Sequence, residues 1–289
     1  MKRKKTIGDF FEMKRKGQKI TFITSYDYPT ATFAEKAGID MILVGDSLGM
    51  CVYGYDGTMP VTMDQMIVHS EAVRRGALST FVIGDMPFLS YQVSDQEAVE
   101  NSGRFFKEAN VDAVKLEGGV RVASRIKAIV DAGMLVMGHI GLTPQSSSQL
   151  GGFKAQGRTL ESAKVQVQDA MAVQEAGASI ILLEAIPPEV AGYITESLSI
   201  PVLSIGAGPH CDGQLLIVSD MLGVFEAFTP KFVKRYAEVA KISTEALTAY
   251  VEDVRSGGFP EPRHYYPMIP EELKKFQDWK KVRGRESET

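Results

Sequence analysis

The sequence predicts an α/β protein folded as one (β/α)8 TIM barrel. Three observations carry that expectation. Eight short apolar runs alternate with helix-like segments along the chain. The runs are nearly continuous Val, Ile and Leu, as in parallel strands buried on both faces; half-exposed antiparallel strands would alternate. A length of 289 residues suits a single barrel, which takes about 250.

A short helix is expected first, over 6–16, with Thr6 and Asp9 at capping-box spacing and Gly17 as its stop. The first strand covers 19–25, and Pro29 opens a helix ending at Gly38. The second strand, 41–44, runs into Gly45-Asp46-Ser47, and a long Gly- and Tyr-containing loop fills 48–63. A helix from 62 to 75 leads to a third strand at 80–83, which closes on Gly84-Asp85. A helix over 94–109 precedes the fourth strand, 111–116. After a helix at 121–132, the fifth strand, 134–137, closes on Gly138-His139. A second long loop covers 142–158, and a helix covers 159–175. The sixth strand, 179–183, closes on Glu184, and Pro187 and Pro188 start a helix to 198. The seventh strand, 201–205, closes on Gly206-Ala-Gly208; the eighth, 215–219, ends at Asp220. Pro230 then opens an amphipathic helix to 255, followed by an aromatic tail, a helix at 271–281 and a fraying end from 284. No linker-like segment interrupts 1–256, so these residues are read as one barrel domain and 257–289 as a C-terminal extension.

Composition narrows the function. A formal charge of −4 gives no general drive toward nucleic acid or anionic membrane. No apolar run approaches the roughly 18 residues of a membrane span. The basic start, Met1-Lys-Arg-Lys-Lys5, lacks the apolar stretch of a signal peptide. Two cysteines, Cys51 and Cys211, make no disulfide framework, and a cytoplasmic protein is expected.

The chemistry centres on Asp112-Ala-Val-Lys-Leu-Glu-Gly-Gly119. A strand has a period of two, so Lys115 and Glu117 share a face opposite Leu116. Lys and Glu are rarely buried unless paired or coordinating something. Other strands also deliver polar groups at their carboxyl ends: Asp46 with Ser47, Asp85, His139 and Glu184. A barrel gathers such groups at one mouth. Each also has a purely structural reading, as a loop cap for the acids or a satisfied core histidine for His139. Three carboxylates, Asp46, Asp85 and Glu117, are costly to pack together without a cation. All-oxygen ligation suits Mg²⁺ or another hard divalent ion, and zinc-type His/Cys spacing is absent. Such a metal chelates a 2-oxo acid and stabilises its enolate. Lys115 then supplies charge for the substrate, Glu184 is the candidate base, and His139 a polariser or hydrogen-bond donor. Gly206-Ala-Gly208 is read as a close backbone approach rather than a phosphate turn.

Four runs carry a family likeness: Val44-Gly-Asp-Ser-Leu-Gly49, Gly138-His-Ile-Gly-Leu-Thr-Pro-Gln-Ser146, Gly151-Gly-Phe-Lys-Ala-Gln-Gly-Arg158 and Asp212-Gly-Gln-Leu-Leu216. In this order they resemble the ketopantoate hydroxymethyltransferase family, over roughly residues 5–262. The resemblance implies a barrel of the phosphoenolpyruvate/pyruvate-binding type and a homodecamer built as a pentamer of dimers. It implies one-carbon transfer from 5,10-methylenetetrahydrofolate to 3-methyl-2-oxobutanoate, the first step toward pantothenate. It further implies that Asp46, Asp85 and Glu117 serve the magnesium site. Asp46, Ser47, Asp85 and Lys115 would bind the oxo acid, Glu184 would accept the proton, at C3 or at the folate amine, and His139 is the active-site histidine. Ser204 departs from the family's glycine, and the chain from about 263 onward extends past the usual end. Two rival readings stand beside this one. A metal-dependent lyase or mutase on 2-oxo acids would use a catalytic cysteine, for which Cys51 is the candidate; a non-catalytic barrel would have lost the ligands or the base.

Overall fold

The computed structural model describes residues 3–152 and 154–286. Eight parallel strands close into a barrel in sequence order: β1 Ile20–Thr24, β2 Met41–Val44, β3 Phe81–Asp85, β4 Ala113–Glu117, β5 Val136–Gly141, β6 Ile180–Glu184, β7 Val202–Ile205 and β8 Gly213–Leu216. The ring is sealed by β8 pairing with β1, Gly213 opposite Ile20 through Leu216 opposite Ile23. Helices Tyr28–Ala37, Met63–Gly76, Asp95–Ala109, Ala123–Asp131, Leu160–Glu175 and Pro188–Ser197 follow the first six strands that carry one.

The period of two sorts each strand between two cores. Ile20, Phe22, Met41, Leu43, Phe81, Ile83, Ala113, Met137, Ile180, Leu182, Leu203, Ile205 and Leu215 form one cluster, the filled barrel interior. Ile42, Val44, Val82, Val114, Leu116, Val136, Ile181 and Leu183 alternate with them and pack in the second cluster, toward the helices. Each such buried Leu or Ile contributes roughly 1.5–3 kcal/mol. Helix Ile7–Arg15 closes the amino end of the barrel, where Phe10 meets Phe81 edge-on at 5.2 Å. Its start is tied by the Asp9 carboxylate, which accepts the Thr6 N–H at 2.7 Å. Buried charges at this end are structural. Arg74 donates to Asp112 at 2.9 Å, and Asp112 also accepts the Val82 N–H. Asp40 pairs with Lys5 and accepts from Thr21.

The inward parity has a consequence at the other end. Continuing Ala113 gives Lys115 and Glu117; continuing Met137 gives His139; Leu182 gives Glu184 and Ile83 gives Asp85. One apolar stripe therefore ends, strand after strand, in a charged side chain at the mouth.

Some boundaries differ from the sequence expectation. β5 begins at Val136 and runs to Gly141, so His139 lies inside the strand rather than past it. β8 stops at Leu216, and residues 218–221 form the short helix Val218–Met221. The cause is local: Thr24 Oγ1 accepts the Val218 N–H at 3.0 Å and draws the chain off the sheet. The long loops contain the short helices Leu48–Cys51, Pro144–Ser146 (3₁₀) and Ser147–Leu150. The helix expected from Pro230 begins instead at Val239. Residues 222–238 are irregular, held in part by the Tyr236 N–H donating to the Met221 carbonyl at 2.7 Å. The chain divides into compact units at Met1–Ala237 and Glu238–Thr289, so helix Val239–Ser256 belongs to the second unit and not to the barrel domain expected to reach 256. That unit also contains helix Pro270–Glu286, which continues past the expected end at 281; residues 287–289, the last part of the expected frayed end, lie outside the described residues.

Candidate active site

The mouth of the barrel opens into a cavity of about 780 Å³. Asp46, Ser47, Asp85, Lys115, Glu117, His139 and Glu184 all line it, so every site residue read from the sequence meets the others there. At its floor Lys115 Nζ lies 2.7 Å from Asp85 Oδ1, 3.4 Å from Glu117 Oε1 and 3.3 Å from His139 Nδ1. His139 Nδ1 is 3.3 Å from Glu117 Oε1 on one side, and its Nε2 is 3.1 Å from Glu184 Oε2 on the other. The Nε2 contact is close but not aligned as a hydrogen bond, so it is an ion-pair contact. Ser47 Oγ is fixed by the Tyr26 hydroxyl at 2.9 Å.

The backbone aims Glu184. Ala185 follows it with φ of 48°, in the left-handed region that a non-glycine residue seldom adopts. The peptide group joining the two is pinned at both ends: Glu184 C=O accepts from Leu142 N–H at 2.9 Å, and Ala185 N–H donates to Ile205 C=O at 3.0 Å.

Two residues at the floor were missed by sequence reasoning. Gln145 Nε2 donates to Asp46 Oδ2 and to the Met86 carbonyl, both at 2.9 Å, while its backbone N–H donates to Glu117 Oε2 at 3.0 Å. The buried Tyr91 hydroxyl reaches Gln145 Oε1 at 2.8 Å and accepts the Glu117 N–H at 3.0 Å. Both come from loops, where no periodicity marks them; the only signal is that Gln145 falls within a family-like run.

Electrostatics at the floor is governed by burial. Burial raises the Asp46 carboxyl well above the carboxylate range, and Asp85 and Glu117 raise it further. Burial also raises Asp85, against the opposing pull of Lys115. Glu117 moves the other way: burial would raise it, but Lys115 and His139 bring it down to about 2. Burial would likewise strip the Lys115 proton, yet Asp85, Glu117 and Asp46 hold it. For His139, burial and Lys115 push down, while Glu117 and Glu184 outweigh them and bring the imidazole up to about 9.

The sign of that last shift gives a test. A histidine whose folded value lies above its ordinary 6.5 stabilises the fold fully below pH 6.5, and that stabilisation is lost as pH rises through about 9. Metal-free protein is expected to lose on the order of 3 kcal/mol of unfolding free energy across that window, a loss absent from His139→Gln. Urea unfolding at a series of pH values checks it; parallel curves for the two proteins would refute a protonated His139.

The residues partly fit a divalent cation. Asp46 and Asp85 are adjacent through the Asp46 N–H, which donates to Asp85 Oδ2 at 3.0 Å. Asp85 Oδ1, buried, has no aligned hydrogen bond. A cation beside this pair would relieve the repulsion that raises Asp46. Glu117, the third carboxylate expected at the metal site, lines the same floor. Both its oxygens are engaged, by Lys115 and His139 and by the Gln145 N–H, and among the described residues no three His, Cys, Asp or Glu side chains lie at ligating spacing.

Cys51 lines the cavity half-buried, and its thiol is pushed up by burial and by the charge of Asp220. It therefore lacks the cationic surroundings of a reactive thiolate. Gly206 and Gly208 are close approaches, as expected: a Cβ at Gly206 would stand 2.5 Å from the Phe232 ring, and one at Gly208 2.7 Å from Pro188. Ser204, between the inward Leu203 and Ile205 and so on the helix-facing side of β7, accepts the Ala207 N–H on its Oγ at 3.0 Å, tightening the same turn. No described helix is long and apolar enough to cross a membrane.

Comparison with solved structures agrees on the barrel. A phosphonopyruvate hydrolase, solved with oxalate and Mg²⁺, superimposes with a TM-score of 0.60 at 14% identity, covering 98% of this chain and 99% of that one. A 2,3-dimethylmalate lyase of the PEP mutase/isocitrate lyase superfamily gives 0.56 at 19% identity, covering 96% and 98%. At such identities the likeness is one of fold alone. Sequence relatives are much nearer. The 3-methyl-2-oxobutanoate hydroxymethyltransferase of Alkaliphilus metalliredigens is 61% identical, over 97% of this chain and 100% of its own length. That of Syntrophobacter fumaroxidans is 53% identical, over 95% and 97%. The profile of ketopantoate hydroxymethyltransferase matches residues 4–262, which include every charged residue at the barrel mouth, and on this evidence the chain belongs to that family.

Proposed function

We propose that the chain transfers a hydroxymethyl unit from 5,10-methylenetetrahydrofolate, with water, to C3 of 3-methyl-2-oxobutanoate. The products are 2-dehydropantoate and tetrahydrofolate, a step of pantothenate biosynthesis. The observation that carries this reading is the meeting of the Asp46–Asp85 pair, Lys115 and Glu184 in one cavity of a chain 61% identical to a protein of that name.

Asp46 and Asp85 would hold Mg²⁺, which when bound polarises the keto oxygen and favours the enolate. Ser47, steadied by Tyr26, and Lys115 bind the oxo-acid end. Glu117 and His139 keep Lys115 charged and in place, and Gln145 holds Asp46 and Glu117 together. Strand β6 lies across the eight-strand ring from β2. An oxo acid anchored at Asp46 and Asp85 therefore points its distal carbon toward Glu184, which takes the C3 proton. The carbanion forms its new bond to the folate-borne carbon, both of that carbon's bonds to folate nitrogen break, water supplies its hydroxyl, and the C3 proton and the second water proton end on the two nitrogens of tetrahydrofolate. The homodecamer belongs to the same reading; helix Val239–Ser256 carries the apolar Ile242, Leu247, Tyr250 and Val254 with no residue buried, a face that suits contact with another copy.

Deuterium exchange at C3 of 3-methyl-2-oxobutanoate tests the proposal. Exchange is expected with Mg²⁺ and is expected to cease with a chelator, while product forms only when the folate is added. Product without folate, or exchange that ignores the chelator, sinks it.

A further inference from the structure

The cavity is larger than a small branched oxo acid requires, and its floor residues occupy only the half beneath β2 to β6. The remaining half, at β7 and β8, is walled by Phe225, Phe228, Phe232 and Pro188. Gly206, with φ of 69°, brings the Phe232 ring to the end of β7, because a Cβ there would overlap it. In this apolar half stands one carboxylate that the proposed chemistry does not use. Asp220 is 6% exposed and lines the cavity, with open volume rather than packed protein on one side. Among the described residues no hydrogen bond or ion pair reaches its carboxylate, and the charge of Arg235 acts on it. The carboxylate faces the cavity without a protein donor, so a ligand that enters this half meets two free acceptors there.

We propose that Asp220 recognises the one-carbon donor. Its two oxygens accept the adjacent N–H groups, ring N–H and 2-amino, of a 2-amino-4-oxopyrimidine ring, while the Phe225, Phe228 and Phe232 wall covers the ring's faces. This rests on the folate-dependent reading above. The pairing is a matter of geometry: a carboxylate offers two parallel acceptors, and a 2-amino-4-oxopyrimidine offers two parallel donors at matching spacing. A planar ring also suits an aromatic wall. Burial lifts the Asp220 carboxyl to about 6, against the pull of Arg235, so it is mostly ionised at neutral pH and gains from two donors. Arg158 and Lys231 line the same cavity and are exposed, which leaves cations where the donor's anionic tail would emerge.

Two measurements test the assignment. Wild-type enzyme is expected to bind tetrahydrofolate at least roughly 10-fold more tightly than 2-desamino-tetrahydrofolate, since losing a donor to a charged acceptor costs about that much. Asp220→Asn is expected to raise KM for 5,10-methylenetetrahydrofolate roughly 10- to 100-fold and to bind the two analogues alike, with the loss confined to the folate side and absent from the Kd of 3-methyl-2-oxobutanoate. Wild-type enzyme indifferent to the 2-amino group overturns the inference without any variant. So does an Asp220→Asn enzyme that keeps its folate KM or its preference between analogues. Absence of folate-dependent product from wild type would instead overturn the function proposed above.

Discussion

Replacing Glu184 by Gln is expected to lower kcat by roughly 10²- to 10⁴-fold, the usual worth of a positioned general base. The Kd of 3-methyl-2-oxobutanoate should stay within a few-fold, because Gln keeps the size of the side chain and Ser47 and Lys115 are untouched. The same variant should lose Mg²⁺-dependent deuterium exchange at C3. That second readout assigns the proton: a base at C3 loses exchange and turnover together, whereas a group acting only on the folate amine loses turnover and keeps exchange. Gln also removes the charge 3.1 Å from His139 Nε2, so oxo-acid affinity must be measured beside the rates to separate catalysis from binding. Normal turnover in Glu184→Gln would remove this residue from the mechanism.

The barrel was legible because its signal is local. Eight apolar runs, each followed by Gly or a polar group, can be read without knowing what packs on what. The floor of the site was legible for a related reason. The parity that puts Met41 and Leu43 inside the barrel also puts Lys115, Glu117, His139 and Glu184 at its mouth, and parity survives an error of a residue or two at a strand end. What failed depended on contacts between distant segments. Asp220 looked like a strand terminus until Thr24 was seen to take the Val218 N–H and start a helix there. Gln145 and Tyr91 sit on loops, where neither period applies. The third carboxylate, Glu117, was expected from charge counting and from the family likeness, and it does stand on the same floor. What counting could not give is the arrangement: the Lys115 ammonium lies between Asp85 and Glu117, and His139 stands against Glu117 as well.

That placement makes Lys115 the residue whose loss should destabilise the fold most. Lys115→Met keeps the length and removes the charge, leaving Asp46, Asp85 and Glu117 buried beside one another. Breaking a buried ion pair by deleting one partner costs about 3–5 kcal/mol. The unfolding free energy at neutral pH is expected to fall by that amount, and oxo-acid binding to be lost with it. The pH dependence identifies the cause. Asp46 and Asp85 already titrate above their unfolded values, and removing Lys115, which lowers both, raises them further. Groups with raised folded values favour the fold below their unfolded pKa, about 4, and that advantage is lost as pH rises through the folded values. The deficit of Lys115→Met should therefore be smallest in acid and grow toward neutral pH. A second substitution, Asp85→Asn, should recover a large part of it, since the two positions share one interaction and their costs do not add. A deficit that is independent of pH, or that Asp85→Asn deepens, would mean that Lys115 acts through packing alone and that the carboxylates do not depend on its charge.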